Sequence, residues 1–232
     1  MSSKKYTHLF FDLDRTLWDF ETNARSAFQD IFKKHDLHYY FNDFDTFLTA
    51  YHKHNERLWM AYRQGKIKKK VLRTKRFYLT LKEFGIDSED LAKKIGDEYI
   101  DLSPKKTALF PDAIKVLEYL KSKYQLYIIT NGFNEVQFIK MENAGLSPYF
   151  RKVFTSENAG YQKPHPGIFA YCLNSVNARK TESIMVGDDP ETDIQGAKNF
   201  GLDQVFFNPG RNHITEKPTF EIEQLIQLTE IF

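Results

Sequence analysis

Five short apolar runs decide what this chain can fold into: Leu9 to Phe11, Leu126 to Thr130, Lys152 to Ser156, Ser183 to Val186 and Gln204 to Phe207. They are rich in aliphatic or aromatic residues and bounded by polar or turn residues, the pattern of buried strands. Segments of helical period precede or separate the later runs. Pro111 opens one with Ala113, Ile114, Leu117 and Leu120 turned inward, and Asn134 to Ala144 forms a second that Gly145 stops. Pro164 to Val176 is a third, and a fourth runs from Asp189-Pro190 to Gly201. Strand and helix in alternation predict a parallel sheet, whose crossovers must be long enough to hold a helix. Phe220 to Phe232 reads as a weaker amphipathic helix that ends the chain.

The first run stands apart from the others. After Asp14 the period stays helical for about 90 residues. Ala24, Ala27, Phe28, Ile31 and Phe32 form one stripe. A longer stripe runs from Phe44 through Phe47, Leu48, Tyr51, Leu58 and Trp59 to Tyr62, with Asn42 as its N-cap. A third passes through Phe77, Tyr78, Leu81 and Phe84 to Gly85, and a fourth goes from Ser88 through Leu91, Ile95 and Leu102 to Pro104. Four helices with short connections predict an all-α insertion over residues 18–104, leaving 1–17 and 105–232 as the core.

A chain of 232 residues with 41% hydrophobic and 28% charged side chains can bury a full core and carry such an insertion. The net charge of +2 supplies no global field of the kind that marks nucleic-acid binders, so stable nucleic-acid binding is not expected. Locally, Arg63 to Arg76 holds eight Lys or Arg and no acid. It reads as a solvated helix face, with attraction of phosphorylated substrates as the sharper alternative. The single cysteine, Cys172, is spaced with Ile168, Phe169 and Val176 like one buried helix face. His35 and His38 are three apart but have no evident metal-binding companions. Residues 1–5 leave no room for a signal peptide before the first strand, and no apolar run approaches membrane-spanning length. A cytoplasmic protein without a membrane partner is expected.

Chemistry-bearing residues gather where strands end. Asp12 and Asp14 follow the first run two residues apart, so both carboxylates can face one crevice, and they would repel unless a cation sits between them or one keeps its proton. Either solution suits phosphoryl transfer, with Mg²⁺ neutralising the phosphate, one Asp attacking phosphorus and the other handling the leaving group's proton. An acidic strand end capping a turn is the plainer alternative. Thr130-Asn131-Gly132 ends the second run with a hydroxyl, an amide and backbone N–H groups that suit phosphate oxygens, and it also reads as a simple turn. Lys163, ahead of a helix, can neutralise both a nucleophile and a phosphate, or be a surface lysine. Asp188, Asp189 and Asp193 follow the fourth run and offer the hard oxygen donors that Mg²⁺ takes, or the favourable charge of a helix start.

Taken together, D-x-D-x-T-L at Asp12 to Leu17, Thr130 at a strand end, Lys163 before a proline and G-D-x-x-x-x-D at Gly187 to Asp193 resemble the haloacid dehalogenase superfamily of phosphatases. The resemblance covers nearly the whole chain. It implies an α/β fold: a Rossmann-like core of strand order 3-2-1-4-5 with a helical cap inserted after the first strand. It implies Asp12 as the nucleophile that becomes an aspartyl-phosphate, and Asp14 as a general acid/base that also offers its backbone carbonyl to Mg²⁺. Thr130, Asn131, Gly132 and Lys163 would bind the phosphoryl group, Asp188 would complete the metal site, and Thr16, Asp189 and Asp193 would support it. Position 15 departs from the pattern, being Arg where many relatives have a turn-easing Gly; solvent-exposed charge is its expected role.

A finer resemblance is to pyrimidine 5′-nucleotidases, through Ile129-Thr130-Asn131-Gly132-Phe133 and the segment Asn55 to Gly65. It implies a small phosphorylated metabolite as partner, with Trp59 and Tyr62 as aromatic surface for a base; packing within the cap is their alternative. Sugar-phosphate and phosphoglycolate-type phosphatases and phosphomutases share the same motifs. A dehalogenase would have no use for a general acid at position 14.

Overall fold

The computed structural model describes residues 6–214 and 217–232, so the expectation drawn from residues 1–5 lies outside the described residues. The chain divides into two compact units, one formed by Met1–Phe20 with Thr107–Phe232 and the other by Glu21–Lys106. In the first unit the strands are β1 (His8–Phe11), β2 (Gln125–Thr130), β3 (Lys152–Thr155), β4 (Ser183–Gly187), β5 (Asp203–Phe207) and β6 (Phe220–Ile222). They form one parallel sheet in the order β3-β2-β1-β4-β5-β6. This is the expected Rossmann-like order with one strand added at its edge.

Helices cover both faces, which is why the strands read as continuous apolar runs. Alternate residues divide the core between the two faces. Leu9, Phe11, Ile128 and Val186 face a cluster that includes Val116, Leu117 and Leu120 of α5 (Ala113–Lys121). Phe10, Ile129 and Met185 face Ile168, Phe169 and Cys172 of α8 (Pro166–Ser175), which follows the short α7 (Ser156–Ala159). Cys172 is fully buried, and that burial pushes its thiol pKa up, as expected of a core residue. Ile114 was expected to point inward but is 37% exposed, and Val116 takes its place in the core. Phe220 to Phe232 is likewise not one helix: β6 is followed by a short turn of helix and by α10 (Leu228–Ile231). The last sheet edge captures Phe220 to Ile222 through pairing with Val205 to Phe207, a tertiary contact that overrides the weak helical period.

The second unit holds α1 (Phe20–Lys34, beginning one residue ahead of it), α2 (Phe44–Arg63), α3 (Lys69–Glu83) and α4 (Glu89–Leu102). The N-cap of α2 is Asp43 rather than Asn42, its carboxylate accepting from the Thr46 N–H at 2.7 Å. Ser88 caps α4 as expected, accepting from the Leu91 N–H. The core of this unit is aromatic, with Phe28 stacked on Tyr99 at 4.4 Å and Tyr51 on Phe77 at 5.2 Å. Arg76 departs from the solvated basic face expected of Arg63 to Arg76. It is 6% exposed, its guanidinium lies 5.1 Å from the Phe77 ring centroid, and it donates to Asn55 Oδ1 at 2.9 Å. Lys66, Lys68, Lys70 and Lys75 are exposed. His35 meets Glu98 at 2.8 Å. None of the helices among the described residues is long and apolar enough to cross a membrane.

Candidate active site

Strand β1 has β2 on one side and β4 on the other, so the connections leave it in opposite directions. Open α/β sheets form a crevice at such a switch point, beyond the carboxyl ends of the strands. Asp12 is the first residue past β1, and its N–H is tied to Val186 O of β4 at 2.8 Å. The register that pairs Phe11 with both Ile128 and Val186 sets the chain after β2 and after β4 on either side of Asp12.

Behind Asp12 the tight turn closes on itself, with the Leu17 and Trp18 N–H groups both donating to Leu13 O. Arg15 takes φ 65°, a left-handed conformation that disfavours a side chain by roughly 1 kcal/mol. Its guanidinium lies 4.3 Å from the Phe20 ring centroid, so an exposed cation–π contact offsets part of that strain. Thr16 is buried and donates to Asp188 Oδ1 at 3.1 Å.

Lys163 is the hub. Its ammonium, 2% exposed, lies 2.5 Å from Asp12 Oδ1 and 2.6 Å from Asp193 Oδ1, and it also donates to Ile129 O at 2.9 Å. Burial works against its charge, and Asp12 and Asp193 outweigh that effect and hold it protonated. Asp193 reaches Lys163 through a wide turn. Residues Pro190–Gln195 form a π-helical turn running into α9 (Gly196–Phe200), and the Asp189 carboxylate caps it by accepting from the Glu191 and Thr192 N–H groups. Gly187 is required here, because a Cβ on it would stand 2.3 Å from Asp193 Oδ2.

Asp12, Asp188 and Asp193 each offer a carboxylate oxygen within 4.8 Å of the others. Burial first, opposed by Lys163 and reinforced by Asp193, Asp188 and Asp14, raises the Asp12 pKa well above the ordinary carboxylate range. Burial and then Asp193 push Asp188 up to about 7, against the opposing pull of Arg15 and the Thr16 hydroxyl. Two buried acids and the half-buried Asp188 leave negative charge that one lysine does not compensate, and these hard oxygen donors fit a small divalent cation such as Mg²⁺. In a chelator, stability should therefore fall as pH rises from about 4 to about 7. A carboxyl whose folded pKa is raised binds its proton more tightly in the folded state, and that advantage is lost as Asp188 ionises. Urea midpoints measured across this range in EDTA check it, and a flat or rising profile would contradict it.

The turn after β2 supplies the opposite side. Thr130 Oγ1 accepts from the Gly132 N–H at 3.0 Å and from Gln137 Nε2 at 2.7 Å. With both lone pairs engaged, its own hydroxyl proton is left to donate, as a phosphate site needs. The Asn131 side chain braces the neighbouring loop. Its amide donates to Lys163 O at 2.9 Å and accepts from the Lys163 N–H at 2.8 Å, which fixes the loop bearing the lysine.

Asp14 turns away from the acidic cluster. Lys140 Nζ lies 2.5 Å from its Oδ1, and Gln137 Nε2 donates to its Oδ2 at 2.9 Å. Both partners sit on α6 (Asn134–Asn143) and neither was singled out from the sequence. A clue was available: Gln137 and Lys140 are three apart on one helix face, polar yet placed toward the sheet. Trp59 and Tyr62 of α2 are partly exposed, their ring centroids 5.8 Å apart and nearly perpendicular, so neither belongs to the buried core of the helical unit.

A parallel sheet with acids, a buried lysine and a hydroxyl turn around its switch point is the arrangement of a hydrolase built on an α/β fold. The model of the family "Haloacid dehalogenase-like hydrolase" matches residues 9–207, and the chain belongs to that family. It is 30% identical to the HAD-hydrolase YfnB of Bacillus subtilis, covering 98% of this chain and 96% of YfnB. The magnesium-bound YfnB crystal structure superposes with a TM-score of 0.88 at 28% identity, covering 98% of this chain and 99% of that one. The pyrimidine 5′-nucleotidase YjjG of Escherichia coli is 29% identical, with 98% of each chain covered. The L-2-haloacid dehalogenase of Xanthobacter autotrophicus shares the fold, with a TM-score of 0.78 at 20% identity over 97% of this chain and 98% of that one.

Proposed function

We propose that this hydrolase is a Mg²⁺-dependent phosphatase of small phosphomonoesters, acting best on pyrimidine nucleoside 5′-monophosphates. The observation that carries the reading is Lys163, buried and bridging Asp12 and Asp193 beside a Thr130 hydroxyl oxygen that already accepts two hydrogen bonds. Similarity to YjjG and to magnesium-bound YfnB supports the substrate class and the metal. Asp12 and Asp188, with the Asp14 backbone carbonyl, would hold Mg²⁺, which when bound neutralises phosphate charge and draws it toward Asp12. Asp12 attacks phosphorus, and its new P–O bond forms as the bond to the leaving oxygen breaks. Asp14 protonates that oxygen, then takes a proton from the water that hydrolyses the aspartyl-phosphate. Lys163 and Thr130 hold the transferring oxygens. The Asp14 carboxylate also separates this reading from dehalogenation, in which the departing halide needs no proton.

The test is release of inorganic phosphate with Mg²⁺ over a panel of nucleoside monophosphates and sugar phosphates. If the Trp59 and Tyr62 rings serve the base, stacking contributes about 1 to 3 kcal/mol, roughly ten- to hundredfold in kcat/KM. Nucleoside monophosphates should therefore lead, and Trp59→Ala should narrow their advantage. A panel led by sugar phosphates would remove the nucleotidase reading. Label returned to a sugar rather than to water would indicate a phosphomutase.

A further inference from the structure

We propose that Lys140, with Gln137, is the positioning device for Asp14, joining the acid/base to the phosphate-binding turn through helix α6. The proposal rests on the phosphatase reading above and assigns a task to two residues that this reading leaves unused.

Each oxygen of the Asp14 carboxylate has its own donor on α6, Lys140 Nζ at 2.5 Å and Gln137 Nε2 at 2.9 Å. Lys140 is 4% exposed and lies against the face of Trp18, its Nζ 4.1 Å from the ring centroid. A lysine buried to that degree needs an acceptor for its N–H groups, and the Asp14 carboxyl group supplies it.

Gln137 is fully buried, and its Nε2 also donates to Thr130 Oγ1 at 2.7 Å. One amide group thus ties the acid to the hydroxyl proposed to bind phosphate. Gly132 makes room for it, since a Cβ there would stand 2.4 Å from the Gln137 side-chain amide. Helix α6 begins directly after that turn, so Asp14 and the phosphate pocket are held in one frame although the chain places Asp14 and Lys140 126 residues apart.

The chemistry gives this frame its purpose. When the ester bond breaks, the proton leaves Asp14 for the departing oxygen and Asp14 becomes an anion. Lys140 pairs with that anion where it forms, and Gln137 fixes its direction. A strongly basic alkoxide needs the proton, whereas a weakly basic aryloxide departs without it. Loss of Lys140 should therefore be felt according to the leaving group, which a residue serving only as packing would not produce.

The experiment compares Lys140→Ala with wild type on a nucleoside 5′-monophosphate and on p-nitrophenyl phosphate, with Asp14→Asn as reference and circular dichroism to verify folding. The expected loss in kcat/KM is about 10²-fold greater for the nucleotide than for the aryl ester, the low end of what general acid catalysis contributes. Added methylammonium should restore part of the nucleotide activity by placing a cation with N–H donors beside Asp14, while tetramethylammonium, without N–H donors, should not. Gln137→Met, which keeps the volume, should show the same bias more weakly and stands in should Lys140→Ala fail to fold. Equal losses on both esters, or no response to methylammonium, would overturn the positioning role. A wild type that hydrolyses neither ester would instead overturn the proposed function.

Discussion

Asp12→Asn is expected to lower turnover by at least about 10⁴-fold, some 5.5 kcal/mol of lost transition-state stabilisation, while the protein stays folded. The amide keeps the volume of the carboxylate but is a far poorer nucleophile at phosphorus. Stability should hold or rise slightly. Burial, Asp193 and Asp188 already disfavour the Asp12 charge, and Lys163 keeps its second carboxylate partner, Asp193, when that charge is removed. Steady-state phosphate release and a urea melt of the same preparation check both halves. Turnover near the wild-type rate would show that Asp12 does not attack phosphorus.

Lys163→Met should act in the opposite sense on stability, which makes the pair of variants informative together. Removing the ammonium strands Asp12 and Asp193 as neighbouring buried carboxylates and leaves Ile129 O without the donor at 2.9 Å. Leaving buried charge uncompensated in this way typically costs about 3–5 kcal/mol. Chemical denaturation in EDTA should show a loss of that order, partly relieved at low pH as the stranded acids take up protons. Phosphate release should be lost as well, since the same ammonium contacts Asp12, the proposed nucleophile. A loss below about 1 kcal/mol would mean that Lys163 is not the charge centre the geometry makes it.

Much of this protein is legible in the sequence because the signals are local. Leu126 to Ile129 is apolar because both sheet faces are covered, and Gly85, Gly145 and Gly201 stop helices by taking positive φ. The carboxylates of Asp12 and Asp188 and the amine of Lys163 can be picked out because each stands beyond a strand or ahead of a helix, where the fold itself makes a crevice. Local signals mislead where they are weak. The faint period of Phe220 to Phe232 lost to a free sheet edge, and Asn42 and Asp43 offer equally good caps one residue apart.

The sequence by itself determined the alternation of strand and helix, the long helical insertion and the order of the acidic, hydroxyl and lysine groups, all of which are written in residue spacing. The tertiary structure alone decided which charges meet: that Asp193 shares Lys163 with Asp12, that Asn131 braces the lysine loop, and that Asp14 is held by Gln137 and Lys140. Those pairings join groups 30 to 151 residues apart in the chain. Periodicity specifies which face of a helix or strand is buried, but the electrostatic partner of a buried charge is fixed only when separate elements pack and water is excluded between them.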